Sequence, residues 1–188
     1  MARKVVFNEE WVMNLLVSYI KENGIEKFTV RDIAKYIGCS TQPLFRLFDN
    51  TDNLKKVLKV YLHKDYEEFI SKYVDKSDYL LTISYGYAMY AKEVPNAFKT
   101  LFITELAGSR TINEVINSSW NRDTIEAMSK QYNLSINDSE KVYRDVRFYT
   151  HGISCQLSCR SINIDKKELL ILIKNMINMC IKDIKGSD

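Results

Sequence analysis

Four residues in one short stretch, Ser40, Thr41, Gln42 and Arg46, carry side chains that can read the edges of base pairs. Gln offers a donor and an acceptor that match adenine, and Arg offers two parallel donors that match guanine. Thr29, Arg31 and Lys35 precede them and Lys55 follows, with groups suited to phosphate oxygens. A second set, His151, Cys155 and Cys159, stands at i, i+4 and i+8 on one helix face. Two neighbours four apart could ligate a metal, but the third lies two turns from the first and needs help from elsewhere. Intrahelical thiols four apart seldom reach disulfide geometry. The set therefore reads as packing, with a thiol sensor working through an intersubunit disulfide as the alternative.

Catalytic chemistry has little to work with. Only His63 and His151 offer imidazoles, and no GxSxG, phosphate loop, HExxH or paired-carboxylate constellation occurs. Pairs such as Glu67–Glu68 and Asp165–Glu168 read as solvated helix surface or capping. The expectation is a protein that is not an enzyme and carries neither cofactor nor metal.

Helices must position the base-reading residues. Trp11, Val12, Leu15, Leu16, Tyr19 and Ile20 form one apolar stripe on a first helix, with Asn8 as its cap and Gly24 as its stop. Thr29 caps a short second helix with Asp32 three residues on; Ile33, Ala34 and Ile37 face inward and Gly38 ends it. Ser40 caps a third helix, which turns Leu44, Leu47 and Phe48 inward and tolerates Pro43 in its first turn. A long fourth helix starts at Thr51 or Asp52 and runs to about Lys72. Later boundaries fall near 75–78, 93–95, 108–110, 133–138 and 161–165, so the chain reads as all-α with about nine helices.

Two short helices joined by a Gly-containing turn and buttressed by a third make a helix-turn-helix unit. The second of the pair can enter a major groove with its N-terminal residues against base edges. Free N–H groups at both helix starts favour phosphate.

Composition agrees with a packed helical protein. Of 188 residues 46% are apolar and 12% aromatic, while six Gly and two Pro are too few for many strands and turns. The net charge of +3 is too mild for a polybasic tail. Residues 1–56 hold nine basic and seven acidic side chains, and the remainder holds eighteen and seventeen. A single reading head with so little charge would bind weakly, and pairing two on a palindrome is the usual remedy. The four cysteines, without a CxxC pair, suit reduced thiols. The first residues lack a signal-peptide run, and the greasiest segment, 169–173, is far too short to span a bilayer. A cytoplasmic protein with no membrane association is expected.

The run FTVRDIAKYIGCSTQPLFRLFDNTDNL resembles the N-terminal signature of the TetR/AcrR family of bacterial transcriptional regulators. The Thr after an aromatic, the Ile-Ala pair, the Gly before Ser40, then Leu44, Phe45, Phe48, Asp52, Asn53 and Leu54 carry the resemblance, over about residues 8–62. It implies a DNA-binding domain at 1–56 and a helical ligand-binding and dimerisation domain at 57–188. It also adds Phe45 to the DNA-facing residues. Three positions depart from the pattern: Phe45 replaces a Tyr whose hydroxyl touches phosphate, Leu47 a frequent His, and Thr51 a frequent Lys. More affinity must then come from Arg46, Lys55, Lys56, Arg3 and Lys4.

Beyond residue 57 the last two helices stand out. The terminal one is polar only along Lys174, Asn175, Asn178 and Lys182, and a helix so apolar must be buried on two sides. Phe148, Gly152, Cys155 and Cys159 form a seam of mostly small residues on the helix before it. With Leu169, Ile173, Met176 and Cys180 they are expected to build a homodimer interface, and the resemblance implies a four-helix bundle between two copies. Ordinary intrachain core is the alternative. Tyr85, Met89, Phe102, Trp120, Met128 and Tyr149 belong to an aromatic and Met-rich middle section that, by the same resemblance, encloses a small apolar or aromatic effector. The combined expectation is a regulator, most simply a repressor, bound to a palindromic double-stranded operator and released by its ligand. A helical small-molecule- or partner-binding dimer with a weakened DNA unit is the other reading.

Overall fold

The computed structural model describes residues 7–104, 106 and 108–186, with Trp120 described by its backbone alone. Asn8 opens α1 (Glu9–Asn23): its side chain accepts from the Trp11 N–H at 2.9 Å, and Glu9 and Glu10 face the positive helix end. Thr29 caps α2 (Val30–Ile37), and Ser40 precedes α3 (Thr41–Phe48). Gly38, between them, sits in the left-handed region at φ 78° and ψ 34°, where a side chain would be strained. Its N–H and that of Cys39 both return to the Ala34 carbonyl at 2.9 Å, which closes α2 and turns the chain into α3. The Asn50 side chain accepts from the Asn53 N–H at 2.8 Å and starts α4 (Thr51–Ser71).

After a 3-10 turn at Lys76–Asp78 come α5 (Tyr79–Glu93), α6 (Pro95–Phe102), α7 (Ile112–Ile116), α8 (Ser119–Tyr132), α9 (Ile136–Ser158) and α10 (Lys166–Gly186). The described residues are thus all-helical, with ten α-helices and no strand. The helix beyond the expected nine comes from a break at Asn117 and Ser118 that separates α7 from α8. No helix among the described residues is long and apolar enough to cross a membrane.

The chain forms two compact units, and neither is a continuous stretch. The first comprises 1–67 and 94–108, so it contains α1, α2, α3, most of α4, and α6. Its core takes Val12, Met13, Leu16 and Ile20 from α1, Ile33 from α2, Leu44 and Phe48 from α3, Leu54, Leu58 and Leu62 from α4, and Ala97, Phe98 and Leu101 from α6. A fully buried Leu, Ile, Phe or Met contributes roughly 1.5–3 kcal/mol. Asn96 ties α6 to α1 by donating from Nδ2 to the Lys21 and Glu22 carbonyls at 3.0 and 3.1 Å. Lys21 also pairs with Asp65 of α4. The sequence places its boundary at 56/57, whereas these contacts carry α4 through Glu67 and recruit α6.

The second unit comprises 68–93 and 109–188. Its central helix is α5, buried on nearly every side and packed against α8, α9 and α10. Gly86 lets α5 lie close to the end of α4: a Cβ there would stand 3.1 Å from Tyr73 Cβ and 3.2 Å from Ile70 Cδ1. Val142, Val146, Ile153 and Leu157 of α9 and Leu169, Ile173 and Ile177 of α10 complete the core.

Candidate nucleic-acid interface

Sequence fixes which side of α3 turns outward. Leu44 and Phe48, one turn apart, are each only 1% exposed. The opposite side carries Gln42, Phe45 and Arg46, all exposed, with Thr41 half-buried beside them. Ser40, exposed at the helix start, makes no capping bond with its side chain, so its hydroxyl points to solvent without a helical role. Gln42 and Arg46 are separated by four residues and so lie one above the other. One amide, two hydroxyls and a guanidinium at the start and on the outer face of α3 can pair with base edges.

On α2, Arg31 and Lys35 are exposed, and Lys55 in the first turn of α4 is half-buried. Thr29 is placed differently from its expected phosphate role. Its hydroxyl accepts from the Asp32 N–H at 3.1 Å and donates its one proton to the Asp32 carboxylate. Phosphate oxygens need donors, so in this arrangement the backbone amides at the helix start, and not the Thr29 side chain, are what remain for them. Phe45 is 45% exposed, a ring presented to solvent where the family resemblance expects a hydroxyl. Tyr36, absent from the sequence-derived set, brings an exposed aromatic hydroxyl to α2, held 3.4 Å from a Glu22 carboxylate oxygen. Its ring packs edge-on against Tyr19, and burial raises the phenol above its ordinary range, followed by the nearby Glu22 charge. An i, i+1 Lys-Tyr pair on a short helix was the available signal. Arg3 and Lys4 lie outside the described residues.

The expected effector residues fall in both units. Met89 and Met128 are fully buried in the second unit's core, with Tyr85 and Tyr149 packed against it. Phe102 belongs to the first unit, stacked near Phe98, Tyr66 and His63. The Trp120 side chain lies outside the described residues. An open groove of about 650 Å³ runs between α9 and α10, lined by Lys141, Val142, Asp145, Met176, Cys180 and Asp183 among others.

The expected dimer residues divide. Phe148 is 51% exposed, Gly152 and Cys159 are exposed, and Cys155, Met176 and Cys180 are half-buried. Leu169 and Ile173 are both 0% exposed, so they fill their own subunit's core and cannot meet a partner in this arrangement. Ile171 and Met179, at 47% and 67% exposed, take the outward positions on α10. All four cysteines are free thiols, and among the described residues no three His, Cys, Asp or Glu side chains cluster as a metal site.

No protein-family model matches this chain, and no curated protein matches it either.

Proposed function

We propose that this chain is a cytoplasmic DNA-binding transcriptional regulator of TetR/AcrR type, not an enzyme, and most simply a repressor. The observation that carries the reading is the division of α3: Leu44 and Phe48 anchor it in the core, while Ser40, Gln42, Phe45 and Arg46 are exposed on its other side. A helix anchored this way, behind a Gly38 turn and the supporting α2, suits the major groove. Dimerisation through α9 and α10, with Leu170, Ile171 and Met179 as exposed apolar positions of α10, would supply the second reading head that a weakly charged unit needs. A small apolar effector would act by population shift, favouring a dimer whose α3 helices no longer match successive major grooves.

Selection from random-sequence DNA tests this directly. Purified protein should enrich an inverted repeat whose half-sites lie one helical turn apart, with affinity falling steeply as salt rises. A pool that stays random, with no salt-sensitive retention, would overturn the reading.

A further inference from the structure

α9 carries a second chemical constellation that DNA binding does not use. The Tyr87 hydroxyl of α5 lies 2.8 Å from His151 Nδ1, and His151 Nε2 lies 3.5 Å from Cys155 Sγ. A nucleophile, a base within hydrogen-bond reach of it, and a third group that orients the base are the parts of an activated-thiol site. Tyr87 is buried, whereas His151 and Cys155 are half-buried and open to one side. Beside them Gly152 leaves free space, since a Cβ there would meet nothing within 4 Å, and Phe148 offers an exposed apolar ring one turn before it.

We propose that Cys155 is a covalent modification site for neutral carbon electrophiles, electron-poor alkenes conjugated to a carbonyl, with His151 as its general base and Tyr87 as the group that positions His151. In the reacting tautomer His151 Nδ1–H donates to Tyr87 Oη, and the Cys155 S–H donates to Nε2. The S–H bond breaks and its proton passes to Nε2. A sulfur electron pair forms the S–C bond at the β-carbon while the alkene pair moves onto the carbonyl as an enolate. The imidazolium then returns the proton to the α-carbon. The net change is addition, and no oxidant is consumed. Burial holds the Cys155 thiol above its usual range, and burial, followed by the Arg147 charge, holds His151 below its own. At neutral pH the pair is therefore thiol and neutral imidazole, the state from which base-assisted addition starts. Among the groups bearing on His151 are Arg147 and Cys155 on its own helix and Tyr87 from α5. The proposal does not depend on the DNA-binding reading.

Cys159 is the internal control. It stands one turn on, on the same face, is more exposed than Cys155, and any partner covering that face would shield both. The intact protein is treated with N-ethylmaleimide and labelling of each cysteine is followed by peptide mass spectrometry. Cys155 is expected to react at least about tenfold faster than Cys159 at pH 7, and His151→Gln to remove that advantage. Wild-type protein also gives a test that needs no variant. The Cys155 rate should stay nearly flat from about pH 6.5 to about 8, whereas an unassisted thiol gains about tenfold per unit below its pKa. Faster labelling of Cys159, or a Cys155 rate that climbs tenfold per pH unit, would overturn the proposal.

Discussion

The Tyr19 hydroxyl donates to the Lys27 backbone carbonyl at 2.8 Å, which pins the turn between α1 and α2 from inside the first unit. The same ring meets Phe28 and Tyr36 edge-on, so one side chain of α1 sets how the supporting helix enters. Tyr19→Phe keeps the ring and removes one of that carbonyl's two donors, leaving the Thr29 N–H at 3.1 Å. The expected cost is about 0.5–1.5 kcal/mol, read in urea unfolding, or a fall of roughly 2–4 °C in Tm per kcal/mol lost. An unchanged midpoint would show that the bond contributes nothing net.

Arg46 and Arg31 should separate specificity from general affinity. Arg46→Ala should cost about 1–3 kcal/mol on the preferred site and relax selection at one base position. Arg31→Ala should weaken binding evenly across sequences and reduce the salt slope by about one. Quantitative binding to the selected site and to a scrambled duplex at several salt concentrations distinguishes the two patterns. Equal losses on both duplexes for Arg46→Ala would remove it from the base-reading role.

The expected helices were legible where a cap or a glycine punctuates the chain. Asn8, Thr29 and Gly38 mark α1 and α2 because their local chemistry is strong enough to act alone. The break between α7 and α8 is quieter: Ser118 makes no capping bond with its side chain, and neither Gly nor Pro is present at 117–118. The outward face of α3 followed from the spacing of Leu44 and Phe48. α10 was harder, because apolar residues surround it and periodicity cannot say which of two greasy faces turns in. Packing on α9 turns Leu169, Ile173 and Ile177 inward and leaves Ile171 and Met179 outside. The contact between Tyr87 and His151 spans 64 positions of sequence and exists only once α5 and α9 have met.

Thr150 offers a stabilising change. Its hydroxyl is buried on α9, the residue 2% exposed, and has no hydrogen-bond partner among the described residues. Thr150→Val preserves the branched shape and removes an orphaned polar atom, so a gain of about 1 kcal/mol is expected. Chemical denaturation reads it, and a loss of stability would mean that the hydroxyl has a partner in solution.

Acid should loosen two helix starts. The Thr111 backbone N–H, and then its side chain, hold Glu114 below the usual carboxylate range; Lys141, and then Ser135, do so for Asp138. Both pKa values are depressed on folding. The stabilisation is therefore present above the unfolded values of about 4.3 and about 3.9 and is lost as pH falls through the folded ones. Amide exchange in the first turns of α7 and α9, corrected for its intrinsic pH dependence, should show protection falling below about pH 4. Glu114→Gln, which removes the titrating carboxylate, should abolish the effect in α7 alone.

The placement of α6 has a consequence for biosynthesis. A ribosome delivers α1, α2 and α3 first, yet the unit that holds them includes 94–108, and the chain detours through 68–93 before that segment emerges. Until then the α1 carbonyls of Lys21 and Glu22 have no Asn96 to meet them. The first unit is begun early and finished late, so a nascent chain carries an open apolar flank across the interval in which its other unit begins to assemble.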